Sequence, residues 1–249
     1  RCSPAVDMMN EEPTIDRKRN DDPMASALNR TSAVTRRAVL TGIAATGATA
    51  LGACTSSAQL TDIRGDYSGE IKFDSYDTSA GTYEPATREH RAKNVPKPIL
   101  PEEANKNSVA GLHANIAYLA AAYIYGFNSG DAECVGKSAL SSEDKASLTR
   151  AIGRVSGSTW LADPTLIISL KEATPRQDGD TYTWPALLTL KIGPFRVKNR
   201  SVEEVPESER SHEFPMDIVA RYKDERWVFD TLPTDSSSSS PGAGETSRV

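Results

Sequence analysis

The few histidines and cysteines of this chain are the side chains that most readily do chemistry. The histidines are far apart in sequence, and no two have the close spacing at which histidines commonly bind one zinc ion. No nucleophile stands beside a base in a recognised motif, and no cofactor-binding fingerprint is present. The sequence therefore predicts no metal site and no cofactor. The residues concerned are His90, His113, His212, Cys2, Cys54 and Cys134.

Cys54 ends an uncharged apolar stretch and directly follows Leu51-Gly52-Ala53. Small residues before a cysteine let a peptidase approach the backbone, and the cysteine thiol can take a diacylglycerol. Two acyl chains hold a protein on a membrane stably, whereas one chain holds it only marginally. The tetrapeptide resembles a bacterial lipobox, so we predict that Cys54 is lipidated and anchors the protein to a membrane.

Arg36 and Arg37 precede this stretch, and residues 38–53 carry no charge. Paired arginines before an apolar run resemble the twin-arginine export signal. The run is shorter than the roughly 20 residues that span a bilayer, and glycine and threonine dilute it. Residues 35–54 are therefore predicted to be an export signal, which would place the protein on the outer face of the cytoplasmic membrane. The alternative is a buried apolar helix with a chance cysteine.

Composition indicates which partners the protein can bind and whether a disulfide bond can stabilise its core. The chain has 29 Lys+Arg against 34 Asp+Glu, a formal net charge of −5. Nucleic-acid binding depends on basic patches, so we expect no nucleic-acid partner. Cys2 precedes the signal and Cys54 is predicted to carry lipid, so Cys134 has no partner for an intramolecular disulfide. Cys134 then acts either as inert packing or as a reactive thiol.

Composition also divides the chain into a domain and its flanks. Residues 1–34 are charged and contain proline, which predicts a disordered lead, or an upstream translation artefact if Met24 is the true start. Residues 55–93 are rich in Gly, Ser, Thr and Asp, which predicts a flexible tether. Residues 233–249 contain a serine run and predict a disordered tail. One domain is expected over residues 94–232.

Apolar periodicity predicts an α+β domain. Apolar residues recur every three or four positions between Ser108 and Tyr125, which predicts one long amphipathic helix. A shorter helix is predicted over residues 142–155, with Ser141 at its start. After Trp160 the period changes to two, which predicts strands. Helices followed by meandering strands favour a curved antiparallel sheet with the helices on one face.

The predicted strands cover residues 165–171, 182–192, 214–222 and 227–232, with 195–197 continuing the second strand and an acidic loop over 201–210. Asp178-Gly179 is a typical hairpin turn before the second strand. Pro185 lacks a backbone donor, so we expect a bulge or a sheet edge at that position.

The order of these elements and the closing strand at residues 226–230 resemble the cone-shaped nuclear-transport-factor-2-like fold. Several residues narrow the resemblance to an uncharacterised family of actinobacterial-type lipoproteins with such a domain, over residues 92–232. That resemblance implies a Cys-x-x-Cys pair at Cys134, but Lys137 holds the second place, so no local disulfide is expected. No catalytic motif comes with it. The residues are Asn94-Val-Pro-Lys-Pro98, Gly111, Tyr118, Tyr123, Ser129-Gly130-Asp131 and Cys134.

A cone-like fold implies two candidate sites. His113 flanks the apolar stripe of the long helix, and with Asp217 or Asp230 it would form an acid/base pair, as in enzymes of this fold. The alternative is a partly exposed histidine without a catalytic role. Five aromatic residues would line a pocket between the helix and the sheet, or would simply fill the core. These are Tyr118, Tyr123, Trp184, Phe214 and Tyr222.

Three functions remain open on the sequence. We expect a membrane-anchored, non-catalytic lipoprotein whose domain binds an envelope protein or a small apolar ligand. The first alternative is a small isomerase-like or dehydratase-like enzyme, and the second is a structural accessory domain of an envelope complex. Cone folds often pair through the open sheet face, so a homodimer is a further expectation. An empty space between helix and sheet would favour ligand binding or an enzyme, and a filled space would favour docking onto a partner protein.

Overall fold

The computed structural model describes Leu60 and residues 65–233. The predicted lead, the export signal with Arg36 and Arg37, the lipidation residue Cys54 and nearly all of the predicted tail lie outside the described residues. Within them, helices and antiparallel sheets are combined, as the sequence predicts. No helix in the described part is both long and apolar enough to span a bilayer.

Three α-helices are present in the described residues: α1 Val109–Ser129, α2 Glu133–Lys137 and α3 Ser142–Arg154. Short 3-10 turns lie at Glu102–Asn105 and Glu207–Glu209. The helix predicted from Ser108 is therefore present, and it runs on to Ser129. Ser108 caps it, because its hydroxyl accepts a hydrogen bond from the Gly111 N–H at 2.9 Å. Gly130 ends it in the left-handed conformation, with φ of 80°.

The strands form three antiparallel sheets. The main sheet has the order β1-β5-β7-β10-β11, with β6 also paired to β7, while β2 pairs with β3, and β8 lies between β4 and β9. The strands are β1 Gly69–Glu70, β2 Tyr76–Asp77, β3 Lys97–Pro98, β4 Trp160–Leu161, β5 Thr165–Leu170, β6 Arg176–Asp178, β7 Thr181–Lys191, β8 Phe195–Lys198, β9 Ser201–Glu204, β10 Ser211–Lys223 and β11 Arg226–Pro233.

The core lies between α1 and one face of the main sheet, here called the inner face. Side chains alternate along each strand, so every second residue points to this face. The predicted period-two residues are buried there together with the predicted stripe of α1. The buried residues include Leu112, Ile116, Leu119, Tyr123, Leu166, Ile168, Leu170, Trp184, Leu188, Ile218 and Phe229. Ile152 of α3 packs against Gly126 of α1 and extends the core at one end.

The chain before residue 94 differs from the predicted tether. Residues 65–93 belong to the folded part: β1 pairs with β5, and β2 pairs with β3. Tyr67, Ile71 and Phe73 pack against the core as partly buried side chains. These apolar side chains are isolated along an extended segment, so they create no helical or strand period. The absence of a period is the reason that this segment is predicted to be an unstructured tether.

Two predicted strand features also differ. Residues 195–197 do not continue β7 but belong to β8, which pairs with β4 in a separate sheet. The chain turns at Gly193, which lies so close to Ala162 that an added Cβ would meet the Cβ of Ala162 at 2.7 Å. Part of the predicted acidic loop is β9. Pro185 sits within β7 without a bulge toward β10, where it is paired with Asp217. Its backbone oxygen accepts from the Lys171 N–H at 2.8 Å just past the end of β5, so the missing donor falls at the end of that pairing.

Candidate functional site

Three of the five aromatic residues predicted to line a pocket between α1 and the main sheet are fully buried. Tyr118, Tyr123 and Trp184 are each at most 1% exposed. The Trp184 indole N–H donates to Glu172 O at 2.9 Å, and the Tyr118 hydroxyl donates to Cys134 O at 3.1 Å. These three side chains are therefore core residues rather than the walls of a cavity.

The other two predicted pocket residues lie at the ends of β10. Phe214 is partly buried beside His212, with ring centroids 6.4 Å apart. Tyr222 donates its hydroxyl to Asn105 O at 2.7 Å and so fastens the 3-10 turn before α1. Neither residue lines the cavity described below.

The structure does not bring the predicted acid/base pair together. His113 lies on α1 beside Tyr67 and Trp184, with ring centroids 5.2 and 6.4 Å away, and burial lowers the pKa of its imidazole. Asp217 and Asp230 each follow a residue buried on the inner face, so both project from the opposite face of the main sheet. The sheet therefore separates each carboxylate from the imidazole.

Cys134 is buried at the start of α2, and it is a free cysteine. Its thiol lies 4.0 Å from Pro98 O, and burial raises the pKa of the thiol. A raised pKa leaves less of the nucleophilic thiolate, so the position suits packing better than reactivity. Lys137, which holds the place of a second cysteine, forms a 2.7 Å ion pair with Glu133.

The histidines stay dispersed in three dimensions. The His90 ring contacts Arg91 O at 3.0 Å, while His113 and His212 lie on different elements. In the part of the chain that the structure describes, no cluster of three or more His, Cys, Asp or Glu side chains is arranged to hold a metal ion.

A cavity of about 360 Å³ lies on the side of α1 that faces away from the main sheet. We call it the outer cavity. Three parts of the chain enclose it: α1, the segment of residues 76–96 that includes β2, and the connection into β5. The lining residues are Tyr76, Thr78, Tyr83, Val95, Pro96, Ala121, Ile124, Tyr125, Asn128, Asp163, Pro164 and Thr165.

α1 supplies a second stripe of side chains to this cavity. Ala121, Ile124, Tyr125 and Asn128 follow each other at spacings of three, one and three residues, which is one face of a helix. The inner stripe of α1 contacts the sheet at the same time. Because both faces are covered, α1 is buried along most of its length and is not the half-exposed helix that its periodicity predicts.

The opposite wall is an extended segment held by short pairings. β2 and β3 pair through Tyr76 and Pro98, and the Ile99 N–H donates to Ser75 O at 2.9 Å. Asn94 has a positive φ of 51°, and its side chain donates to Thr82 O at 2.9 Å. These bonds join the two arms of the segment to each other, and both arms contribute residues to the wall of the outer cavity.

Asn128 is the buried polar residue of this cavity, with 5% of its surface exposed. Its amide nitrogen donates to Ile124 O at 2.9 Å and to Pro164 O at 3.3 Å. These two carbonyls fix the orientation of the amide, because the flipped form would set oxygen against oxygen. Oδ1 then finds no donor among the described residues. A buried unpaired acceptor costs about 1–3 kcal/mol, so this amide is held in place at a cost to stability.

Asp163 supplies the only charged side chain among the lining residues. It is exposed at the rim with φ of 42°, a left-handed conformation that aspartate tolerates better than most residues. The Thr165 hydroxyl donates to its backbone oxygen at 3.2 Å. Burial, and then the Asp163 carboxylate, raise the pKa of Tyr83. The negative charge of Asp163 is therefore felt by Tyr83 at the rim of the outer cavity.

The outer cavity could not be predicted from the sequence, because most of its wall leaves no periodic pattern. One signal was present: the second α1 stripe through Tyr125 and Asn128, set among alanines that belong to either face. The other two walls come from the aperiodic segment before residue 97 and from a short connection, which carry no periodic signal. Their place on α1 becomes visible only in three dimensions.

No curated protein and no solved structure matches this chain. Residues 81–233 match the model of a family described as "Family of unknown function (DUF6318)". The matched region contains every lining residue of the outer cavity except Tyr76 and Thr78, and it covers more than half of the 249-residue chain. The chain therefore belongs to this family of unknown function.

Proposed function

We propose that this protein is a lipid-anchored, extracytoplasmic binding module that holds a small, largely apolar ligand in the outer cavity. The observation that carries the proposal is the cavity itself: about 360 Å³, walled mainly by apolar and aromatic side chains, with Asn128, Thr165 and Asp163 as polar lining residues. Ligand sites are typically concave and apolar with a few fixed polar groups. The outer cavity has these features, whereas the space predicted to hold a ligand is filled.

The anchor and the finer fold are parts of the same proposal. Lipidation of Cys54 after export through a signal with Arg36 and Arg37 would keep the binding domain at the outer face of the cytoplasmic membrane. We also propose a nuclear-transport-factor-2-like cone, supported by a long helix lying on one face of an antiparallel sheet. In this version of the fold, the ligand would bind outside the helix rather than between helix and sheet.

The two alternatives from the sequence receive less support from the geometry. The enzyme hypothesis relied on His113 with Asp217 or Asp230, and these lie on opposite sides of the main sheet. The accessory-domain hypothesis, with an envelope partner or a second copy on the open sheet face, stays a prediction from the sequence. Neither alternative accounts for the outer cavity.

A pair of size-increasing substitutions tests the binding function. Ala121→Leu adds a side chain directly into the outer cavity, whereas Ala110→Leu adds the same atoms at a half-exposed position of α1 away from it. We expect ligand-observed NMR to detect binding of small aromatic fragments to the natural chain and to the Ala110→Leu variant. The Ala121→Leu variant should lose that binding while it remains folded.

Two results would count against the proposal. One is a fragment panel that gives no binder for the natural chain. The other is a set of binders that the Ala121→Leu variant retains at equal affinity, because such ligands would sit somewhere else on the protein.

A further inference from the structure

Resting on the proposed function, we propose that the ligand of the outer cavity is a small organic ammonium, a protonated amine carried on an apolar body. The lining residues favour this class over an anion or a neutral molecule for four reasons, taken in turn: the polar atoms left free, the balance of charge, the aromatic rim and the apolar walls.

The fixed polar atoms around the cavity are acceptors. Both amide hydrogens of Asn128 are used on the carbonyls of Ile124 and Pro164, so this side chain offers a ligand no free donor. The Asp163 carboxylate is also an acceptor, and the Thr165 hydroxyl proton is directed to Asp163 O. A ligand that donates hydrogen bonds can pair with the Asp163 carboxylate, whereas a ligand that only accepts cannot.

The one charged side chain among the lining residues is negative. The lining residues include Asp163 but no lysine or arginine. Lys97, which follows a lining proline, forms a 2.7 Å ion pair with Glu133. Arg91 donates to the backbone oxygens of Asn128, Val155 and Thr159. Neither cation lines the cavity, so an anionic ligand at the rim would lie next to the Asp163 carboxylate and be repelled by it.

Tyrosines form the rim of the cavity, and their rings attract cations. Tyr76 and Tyr83 are 37% and 39% exposed, and Tyr125 lines the cavity from α1. Burial and then a nearby carboxylate raise the pKa of Tyr76, through Asp74, and that of Tyr83, through Asp163. Both rim tyrosines thus stay neutral and lie in a negative field. An ammonium beside an aromatic face is attracted by the negative face of the ring.

The apolar walls require the rest of the ligand to be apolar. Val95, Pro96, Ala121, Ile124 and Pro164 surround the interior, and none of them has a side chain that can accept or donate a hydrogen bond. A sugar, which carries hydroxyl groups all around its ring, would leave several of them unpaired against these walls. A single ring or a short branched chain with one amine fits better.

Three probes with the same ring and different head groups test the inference on the full chain. Phenethylammonium, phenethyl alcohol and hydrocinnamate are cationic, neutral and anionic. We expect isothermal titration at low salt to rank them in that order, with the ammonium bound about tenfold tighter than the alcohol. The preference should fall at high salt, because the Asp163 carboxylate is exposed and screened.

A matched pair of variants assigns the preference to Asp163. Asp163→Asn keeps a side chain that tolerates positive φ, and Asp224→Asn makes the same change at another exposed aspartate with φ of 51°, in the turn between β10 and β11. The first should reduce the ammonium preference about threefold or more, and the second should leave it unchanged. Equal melting temperatures would show that both variants are folded.

The outcomes separate this inference from the proposed function. If the alcohol or hydrocinnamate binds as tightly as the ammonium, or if Asp163→Asn leaves the preference unchanged, the ligand class is wrong and the binding function stands. If none of the three probes binds and the fragment panel is also negative, both proposals fail.

Discussion

At the scale of single residues, a few side chains hold residues 65–93 against the rest of the domain. This segment has no periodic pattern of apolar residues. Arg91 is the clearest case, because its guanidinium donates to Asn128 O at 3.3 Å and to two further carbonyls, Val155 O and Thr159 O. The Asn128 and Val155 oxygens lie at the carboxyl ends of α1 and α3, where a cation is favoured by the helix dipoles. Burial lowers the pKa of Arg91, yet arginine stays charged, so the three bonds persist.

Arg91→Lys should therefore destabilise the protein although it keeps the charge. An ammonium cannot reproduce the planar fork that reaches three carbonyls, and the change should cost about 1–3 kcal/mol in the free energy of unfolding by urea. Arg88→Lys is the control, because Arg88 is half exposed and forms a surface ion pair with Glu204 at 2.7 Å. Such pairs contribute about 0–1 kcal/mol. Equal losses in the free energy of unfolding for the two substitutions would mean that Arg91 does not hold the three carbonyls together.

At the scale of elements, α1 determines both the core and the cavity, so its exact placement matters. The helix begins against the 3-10 turn at Glu102–Asn105, where Gly111 approaches the backbone of Glu103 and Lys106. A Cβ at Gly111 would lie 2.9 Å from Glu103 O and closer still to Lys106 O. Backbone atoms cannot move aside as flexible side chains do, so this contact needs a glycine.

Gly111→Ala should destabilise the protein despite the higher helix propensity of alanine. Overpacking against the backbone costs about 1–3 kcal/mol, which exceeds the gain of about 1 kcal/mol from propensity. Gly153→Ala in α3 is the matched control, because nothing lies within 4 Å of a Cβ there, and it should stabilise the protein slightly. The midpoints of urea unfolding of the two variants should move in opposite directions. A rise for both would show that α1 can shift away from the turn.

How far the sequence predicted these elements depends on periodicity. The α1 residues from Ser108, the alternation along β5 and β7, and the burial of Trp184 and Leu188 follow patterns of period 3.6 or 2, and the structure confirms them. The segment with Tyr67, Ile71 and Phe73 has no period, so its packing could not be predicted. The same limit applies to the candidate site, since two of the three walls of the outer cavity are aperiodic.

At the scale of the whole molecule, the proposal joins a membrane anchor to a binding domain. Cys54→Ala should move the protein from the membrane fraction to the soluble exported fraction, because the acyl chains supply the membrane affinity. Fractionation followed by immunodetection measures this, and replacing Arg36 and Arg37 with lysine should block export if the route is twin-arginine. A Cys54→Ala protein that stays with the membrane would contradict the lipid anchor.

The central claim is that the ligand binds on the outer side of α1 and not between α1 and the main sheet. Amide chemical shifts of the full chain, followed by two-dimensional NMR during titration with the tightest-binding fragment, locate the ligand directly. The account predicts that the largest shifts fall on residues 76–83, 121–128 and 163–165, which line the outer cavity. Largest shifts on residues 182–190, which pack the inner face, would place the ligand in the core and contradict the account.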